Sequence, residues 1–211
     1  MPLDDIAAVL ATDEPDIVTK RLAMHRDRLA ERLADDERML RFLERLIERK
    51  ERIMPYDVSI KEIAGQTVAA VRKYTDLARI AGDLQTGFGE IMAQIGPAGT
   101  QPAGAPFVVY HAVIDEQTAG DIDVCIPVAD PPELGGDVVR LDLPSHHVAS
   151  TVHHGPYDEL APAYHTLTGW IQEHGHQTAG PPREIYLNDP QTVQPDELLT
   201  EVQWPIEQDA T

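Results

Sequence analysis

The chain has 211 residues, 42% of them hydrophobic, which is long enough to bury one core or two. Its formal charge is −19, distributed unevenly: residues 1–54 carry 11 Lys/Arg against 13 Asp/Glu, and residues 55–211 carry 6 against 23. The second part repels phosphate backbones and has no basic face to release counterions, which argues against nucleic-acid binding by this chain and in favour of cationic ligands.

No apolar run reaches eighteen residues, and the opening MPLDDIAAVLATDE is acidic where a signal peptide is basic, so a cytoplasmic protein without membrane partners is expected. Leu3 to Leu10 reads as a short amphipathic helix. From Asp16 to about Arg52, helix breakers are few, and Leu29, Leu33, Leu40, Leu43 and Ile47 recur at the spacing of one helical face. About 35 residues at ~1.5 Å each make a helix of about 50 Å, too long to be covered by a small domain. Asp36 falls on its seam, and alternating Glu and Arg flank it as on a coiled-coil helix. Homodimerisation through residues 16–52 is the expectation; a helix folded back on the rest of the chain is the alternative.

The Met54–Pro55 step ends that helix and divides the chain into a helical region, 1–54, and a second domain, 55–211. In the second domain Tyr56–Ile63 and Thr67–Val71 read as strands around a turn at Ala64–Gly65, and Leu77–Ile95 as a helix. A Gly/Pro-rich loop, 96–106, leads to strands at Phe107–Ile114 and Ile122–Val128. The order then recurs: strands at Val138–Leu143 and Val148–Val152, a helix at Glu159–Gly175, and strands at Glu184–Leu187 and Glu201–Ile206. The residues repeat as well, AGAPFVVYH (103–111) matching AGPPREIYL (179–187). These patterns predict an α+β fold of duplicated β-β-α-β-β units, forming one antiparallel sheet with helices on one face and a central ligand groove.

A duplication allows one half to be compared with the other. Glu184 stands where the first half has Val108, while Tyr110 and Tyr186 match each other. Strand alternation puts Glu184 beside both tyrosines. A carboxylate among aromatic groups needs a partner, and a cation is one, with cation–π attraction of roughly 0.5–2 kcal/mol added. Arg183, Arg140 or a backbone amide would serve equally. Cys125, the lone cysteine, reads as core packing. The pairs His146–His147 and His153–His154 flank one strand, but neighbouring strand residues face opposite sides, so no metal or other cofactor is expected.

The stretches HHGPYDELAPAYHTLTGWIQEHG (153–175), AGPPREIYLNDP (179–190) and TEVQWPI (200–206) resemble the GyrI-like (gyrase-inhibitor-like) effector-binding domain of multidrug-sensing MerR-family regulators, over roughly residues 56–207. The resemblance implies a small-molecule ligand, amphipathic and cationic or aromatic, at the glutamate of an E-x-Y strand motif, here Glu184 and Tyr186. It further implies Tyr157 of the GPY turn, Trp170 of the following helix, which reads equally as a core residue, and Glu201 as a weaker second carboxylate. Residues 1–54 resemble the part of MerR regulators that follows the winged-helix DNA reader. No such reader precedes residue 3, so operator binding by this chain alone is not expected. Two other functions follow from the same family. One is hydrolysis of strained electrophiles with Glu184 as general base. The other is capture of a protein partner through an acidic surface that mimics nucleic acid.

Overall fold

The computed structural model describes residues 18–20, 22–24, 26, 56–115 and 118–207. The chain separates into two units, Met1–Met54 and Pro55–Thr211. In the first, residues 18–20, 22–24 and 26 are helical, and the rest of the helices expected at 3–10 and 16–52 lies outside the described residues.

The second unit is a single eight-stranded, wholly antiparallel sheet with two helices. In chain order it runs β1 (Ser59–Ile63), β2 (Gln66–Thr75), α1 (Ile80–Ile95), β3 (Phe107–Tyr110), β4 (Gly120–Pro127), β5 (Val138–Leu143), β6 (His146–His154), α2 (Ala161–Glu173), β7 (Arg183–Tyr186) and β8 (Leu199–Ile206). Across the sheet the order is β1-β6-β8-β7-β3-β4-β2-β5. The two halves therefore meet at β3 and β7, where Phe107 pairs with Ile185, Val108 with Glu184 and Val109 with Arg183.

The pairing of the outer strands differs from a simple tandem of hairpins. Strand β1 does not pair with β2; it crosses to β6 of the other half, while β5 crosses to β2. Each half thus supplies the outermost strand of the other. The Ala64–Gly65 and Pro144–Ser145 links lie side by side, because Ile63 pairs with His146 and Gln66 with Leu143. A Cβ on Gly65 would stand 3.2 Å from the Leu143 carbonyl oxygen, so the close passage of the two links calls for glycine there. Three Cα–Cα steps from Ile63 to Gln66 span at most about 11 Å, so an edge strand is drawn close to one six places away and the open sheet must roll. Rolling accounts for the burial of Val68, Ala70, Phe107 and Cys125, all no more than 1% exposed, on the face opposite the helices. At Cys125, burial pushes the thiol pKa up to about 12, which leaves a packing role.

Both helices lie on the outer face. Helix α1 buries Gly87, Ile91 and Ile95 against Val71, Val108, Val124 and their neighbours, and α2 buries Ala163, Leu167 and Ile171 against Ala149, Val202 and Ile206. A shift of 76 residues carries the first trio onto the second, so the repeat extends to which helical side chains meet the sheet. Several predicted ends move inward. The strand expected at Tyr56 starts at Ser59 and the one expected to reach Ile114 stops at Tyr110. The expected first helix begins three residues later, after a turn in which Asp76 Oδ1 accepts the Arg79 N–H at 3.0 Å. The second helix is shortened to 161–173 by a 3-10 turn at Tyr157–Glu159.

Candidate functional site

Glu184 lies in the middle of β7, near the centre of the sheet, with Val108 of β3 on one side and Val202 of β8 on the other. Alternation points it to the helix-covered face, where it is 7% exposed. Three phenols converge on its carboxylate. Tyr110 donates to Oε2 at 2.9 Å, Tyr186 to Oε2 at 3.2 Å, and Tyr164 of α2 to Oε1 at 2.9 Å. Burial disfavours the charged form and the three hydrogen bonds favour it; burial prevails, and the Glu184 pKa is raised. Burial together with the neighbouring carboxylate pushes the pKa of Tyr110, Tyr164 and Tyr186 upward, so all three remain protonated donors.

Aromatic edges extend the cluster. Phe88 of α1 meets Tyr186 edge-on at 6.1 Å, and Tyr157 meets it edge-on at 5.4 Å. Tyr157 is 39% exposed and forms the rim between this cluster and solvent. No cation contacts Glu184 among the described residues: Arg183 points to the inner face, lying 5.9 Å over the Phe107 ring, and Arg140 pairs with Asp142. A buried carboxylate ringed by phenol donors and aromatic rings, without a counter-charge, can accept a cation or a proton.

The sequence-predicted residues separate into two groups. Glu184, Tyr186, Tyr110 and Tyr157 come together. Trp170 does not join them. It lies towards the far end of α2, stacked on His174 at 4.0 Å and His176 at 5.6 Å, and packs against the second core cluster. Glu201 is next to Val202 on β8 and therefore faces the inner side, where Lys61 at 2.9 Å and Ser150 at 2.6 Å hold it. Burial pushes its pKa up, but the hydrogen bonds from Ser150, Lys61 and Gln203 outweigh burial and keep it low. Its counterpart Asp123 in the first half is held in the same way by Arg72 and His111, so this acid belongs to a repeated structural pair. Two members of the site, Tyr164 and Phe88, escaped the sequence reading. The 76-residue shift that aligns the helices puts them at equivalent positions, so the internal comparison that singled out Glu184 against Val108 would have found a second difference, Phe88 to Tyr164, beside it.

Residues 56–207 match the family described as the GyrI-like small molecule binding domain. The chain belongs to that family. Within it, the GyrI-like domain here is similar to the C-terminal domain of EcmrR, a MerR-family regulator, at 26% identity and a TM-score of 0.67, over 74% of this chain and 100% of that one. EcmrR in its complex with DNA matches over 99% of this chain and 78% of its own length, at 24% identity and a TM-score of 0.67. More distant GyrI-like folds include SAV2435 bound to tetraphenylphosphonium (15% identity, TM-score 0.51, 72% of this chain and 94% of that one). A hydrolase from Listeria innocua is at similar distance (14% identity, TM-score 0.52, 76% and 97%). No curated protein of established function matches the sequence.

Proposed function

We propose that this GyrI-like domain binds an amphipathic cation whose charge lies against Glu184 and whose apolar body lies against Phe88, Tyr157 and Tyr186, and that it is the sensing part of a MerR-type regulator lineage. The observation that carries this reading is a buried carboxylate without a counter-charge among the described residues: Glu184 is 7% exposed and is met there by hydrogen-bond donors and no cation. Three phenols already occupy most of the carboxylate's lone pairs, so the site suits a delocalised charge without N–H donors, such as a phosphonium or quaternary ammonium, over a primary ammonium that needs free acceptors. The tetraphenylphosphonium bound by a distant structural relative supports this choice. The acidity of residues 55–211 adds a long-range field of the matching sign.

The test is a thermal-shift and calorimetric titration with tetraphenylphosphonium, a neutral aromatic of equal size, and a primary amine. The phosphonium is expected to raise Tm in the wild type and to lose most of that effect in Glu184→Gln. Equal response to the neutral compound would refute a charge-reading site. A second reading, hydrolysis with Glu184 as general base, draws support from its raised pKa. Incubating the protein with strained electrophiles, such as epoxides, under mass-spectrometric detection decides it: turnover lost in Glu184→Gln establishes the enzyme, and unchanged compound rejects it.

A further inference from the structure

The two halves differ at one more place that packing does not explain. Where the first half has Lys73, bonded to Glu90 of α1 at 2.6 Å, the second has His153, 3% exposed, as the pairings Lys73–Ile122 and His153–Thr200 show. The two ring nitrogens of His153 are held differently. Nε2 lies 3.1 Å from the Pro156 carbonyl oxygen, which can only accept, so Nε2 carries the proton. In the neutral imidazole Nδ1 then accepts from the Tyr56 hydroxyl at 2.8 Å, and the two rings stack with their centroids 6.2 Å apart. The His153 ring and the Glu159 carboxylate both lie close to Gly155, 3.5 and 3.8 Å from where a Cβ on it would stand.

The carbonyl that His153 grips belongs to the peptide plane joining Pro156 to Tyr157, and a peptide plane moves as one piece. Gly155, at φ +131°, and Pro156, at φ −61°, bring the chain sharply into the turn that begins at Tyr157. Holding that plane fixes the direction from which the Tyr157 ring reaches Tyr186 at the rim of the Glu184 cluster. At the other end of the strut, Tyr56 is the second residue of its unit, just after the Met54–Pro55 step. Its segment is clamped again where Thr151 Oγ1 donates to the Asp57 carbonyl at 2.9 Å.

We infer that Tyr56 and His153 are positioning residues: they hold the rim tyrosine Tyr157 in place and carry the occupancy of the proposed Glu184 site to the segment through which the domain is joined to residues 1–54. The inference rests on the ligand site proposed above, and its test separates the two. Tetraphenylphosphonium is titrated into the wild type, Tyr56→Phe, Tyr157→Ala and the double variant, with Tm recorded for each without ligand. Tyr56→Phe keeps the ring and removes only the hydroxyl. It should weaken binding by about fivefold, and the loss should vanish when Tyr157 is already alanine, the coupling expected of residues that act as a unit. An equal loss in both backgrounds, or no loss, overturns the inference. If the wild type binds no phosphonium, the ligand site fails and the strut is read without ligand by NMR. Tyr56→Phe should then shift both the His153 ring nitrogens and the Tyr157 ring protons, and unmoved Tyr157 resonances would dispose of it.

Discussion

A carboxylate buried among three phenols is poised between charge and proton, and its balance fixes the pH behaviour of the site. The folded pKa of Glu184 is raised above the usual 4.5, chiefly by burial. The stability this group contributes is therefore fully present below about pH 4.5 and is lost as pH rises through the folded value. Glu184→Gln, which stays neutral, should melt above the wild type at neutral pH and level with it in acid; a lower Tm at neutral pH would mean that the ionised carboxylate is stabilising. Cation affinity should run the opposite way, rising with pH as Glu184 ionises. Tyr164→Phe removes the one donor to Oε1 among the described residues, and a hydrogen bond to a charged group is worth roughly 1.5–3 kcal/mol. It should move the midpoint of pH-dependent binding upward, measured by titrating the phosphonium across pH, whereas Phe88→Tyr at the equivalent position should not. The sequence showed Glu184 because its repeat partner is Val108. Strand spacing did not show Tyr164, because a helix residue reaching across to a strand leaves no mark there; only the 76-residue shift between the helices carries that signal.

At the level of elements, the alternating and helical patterns were legible wherever one face is buried, and the misread parts are those decided by distant chain. Two strands around Ala64–Gly65 look like a hairpin; only the second half of the chain shows that β6 and β5 take their places beside them. The same rolling creates an inner face on which Arg183 is 4% exposed, its Nε and Nη2 without hydrogen-bond partners among the described residues. Burial lowers its pKa, the mark of a guanidinium held at a cost. Arg183→Met keeps much of the volume over Phe107 and removes that cost, so urea unfolding should show a gain of about 1 kcal/mol, consistent with replacement of other buried charges by apolar residues. A loss of that size would instead show that the charge supports Glu201 across the strands. The contact of α1 with the sheet is set by Gly87: an added Cβ would stand 2.9 Å from Val124 Cγ2 and 3.1 Å from its Cβ, atoms of a stiff branched side chain. Gly87→Ala gains about 1 kcal/mol of helix propensity but overpacks by about 1–3 kcal/mol, so a net fall in Tm of about 2–4 °C is expected. Because α1 also carries Phe88, cation affinity should fall with it.

Over the whole chain, the separation of charge and pattern at Met54–Pro55 coincides with a change in what each part needs from its surroundings. The unit from Pro55 onward buries both faces of its sheet, one under the helices and one by rolling, and so needs no second copy to complete its core. The long helix expected over residues 16–52 has the opposite requirement: an apolar seam of leucines with charged flanks is stable in water only when something covers the seam. A dimer built through 16–52, as the sequence pattern predicts, would carry two Glu184 sites whose occupancy could be read at the paired helices. Sedimentation of the full chain and of a fragment from residue 55 distinguishes the possibilities. A dimeric full chain with a folded, monomeric fragment that still binds the phosphonium places association in the helix and recognition in the sheet. A monomeric full chain would mean that the seam is covered within one chain, and a fragment that fails to fold would show that the sheet domain depends on residues 1–54.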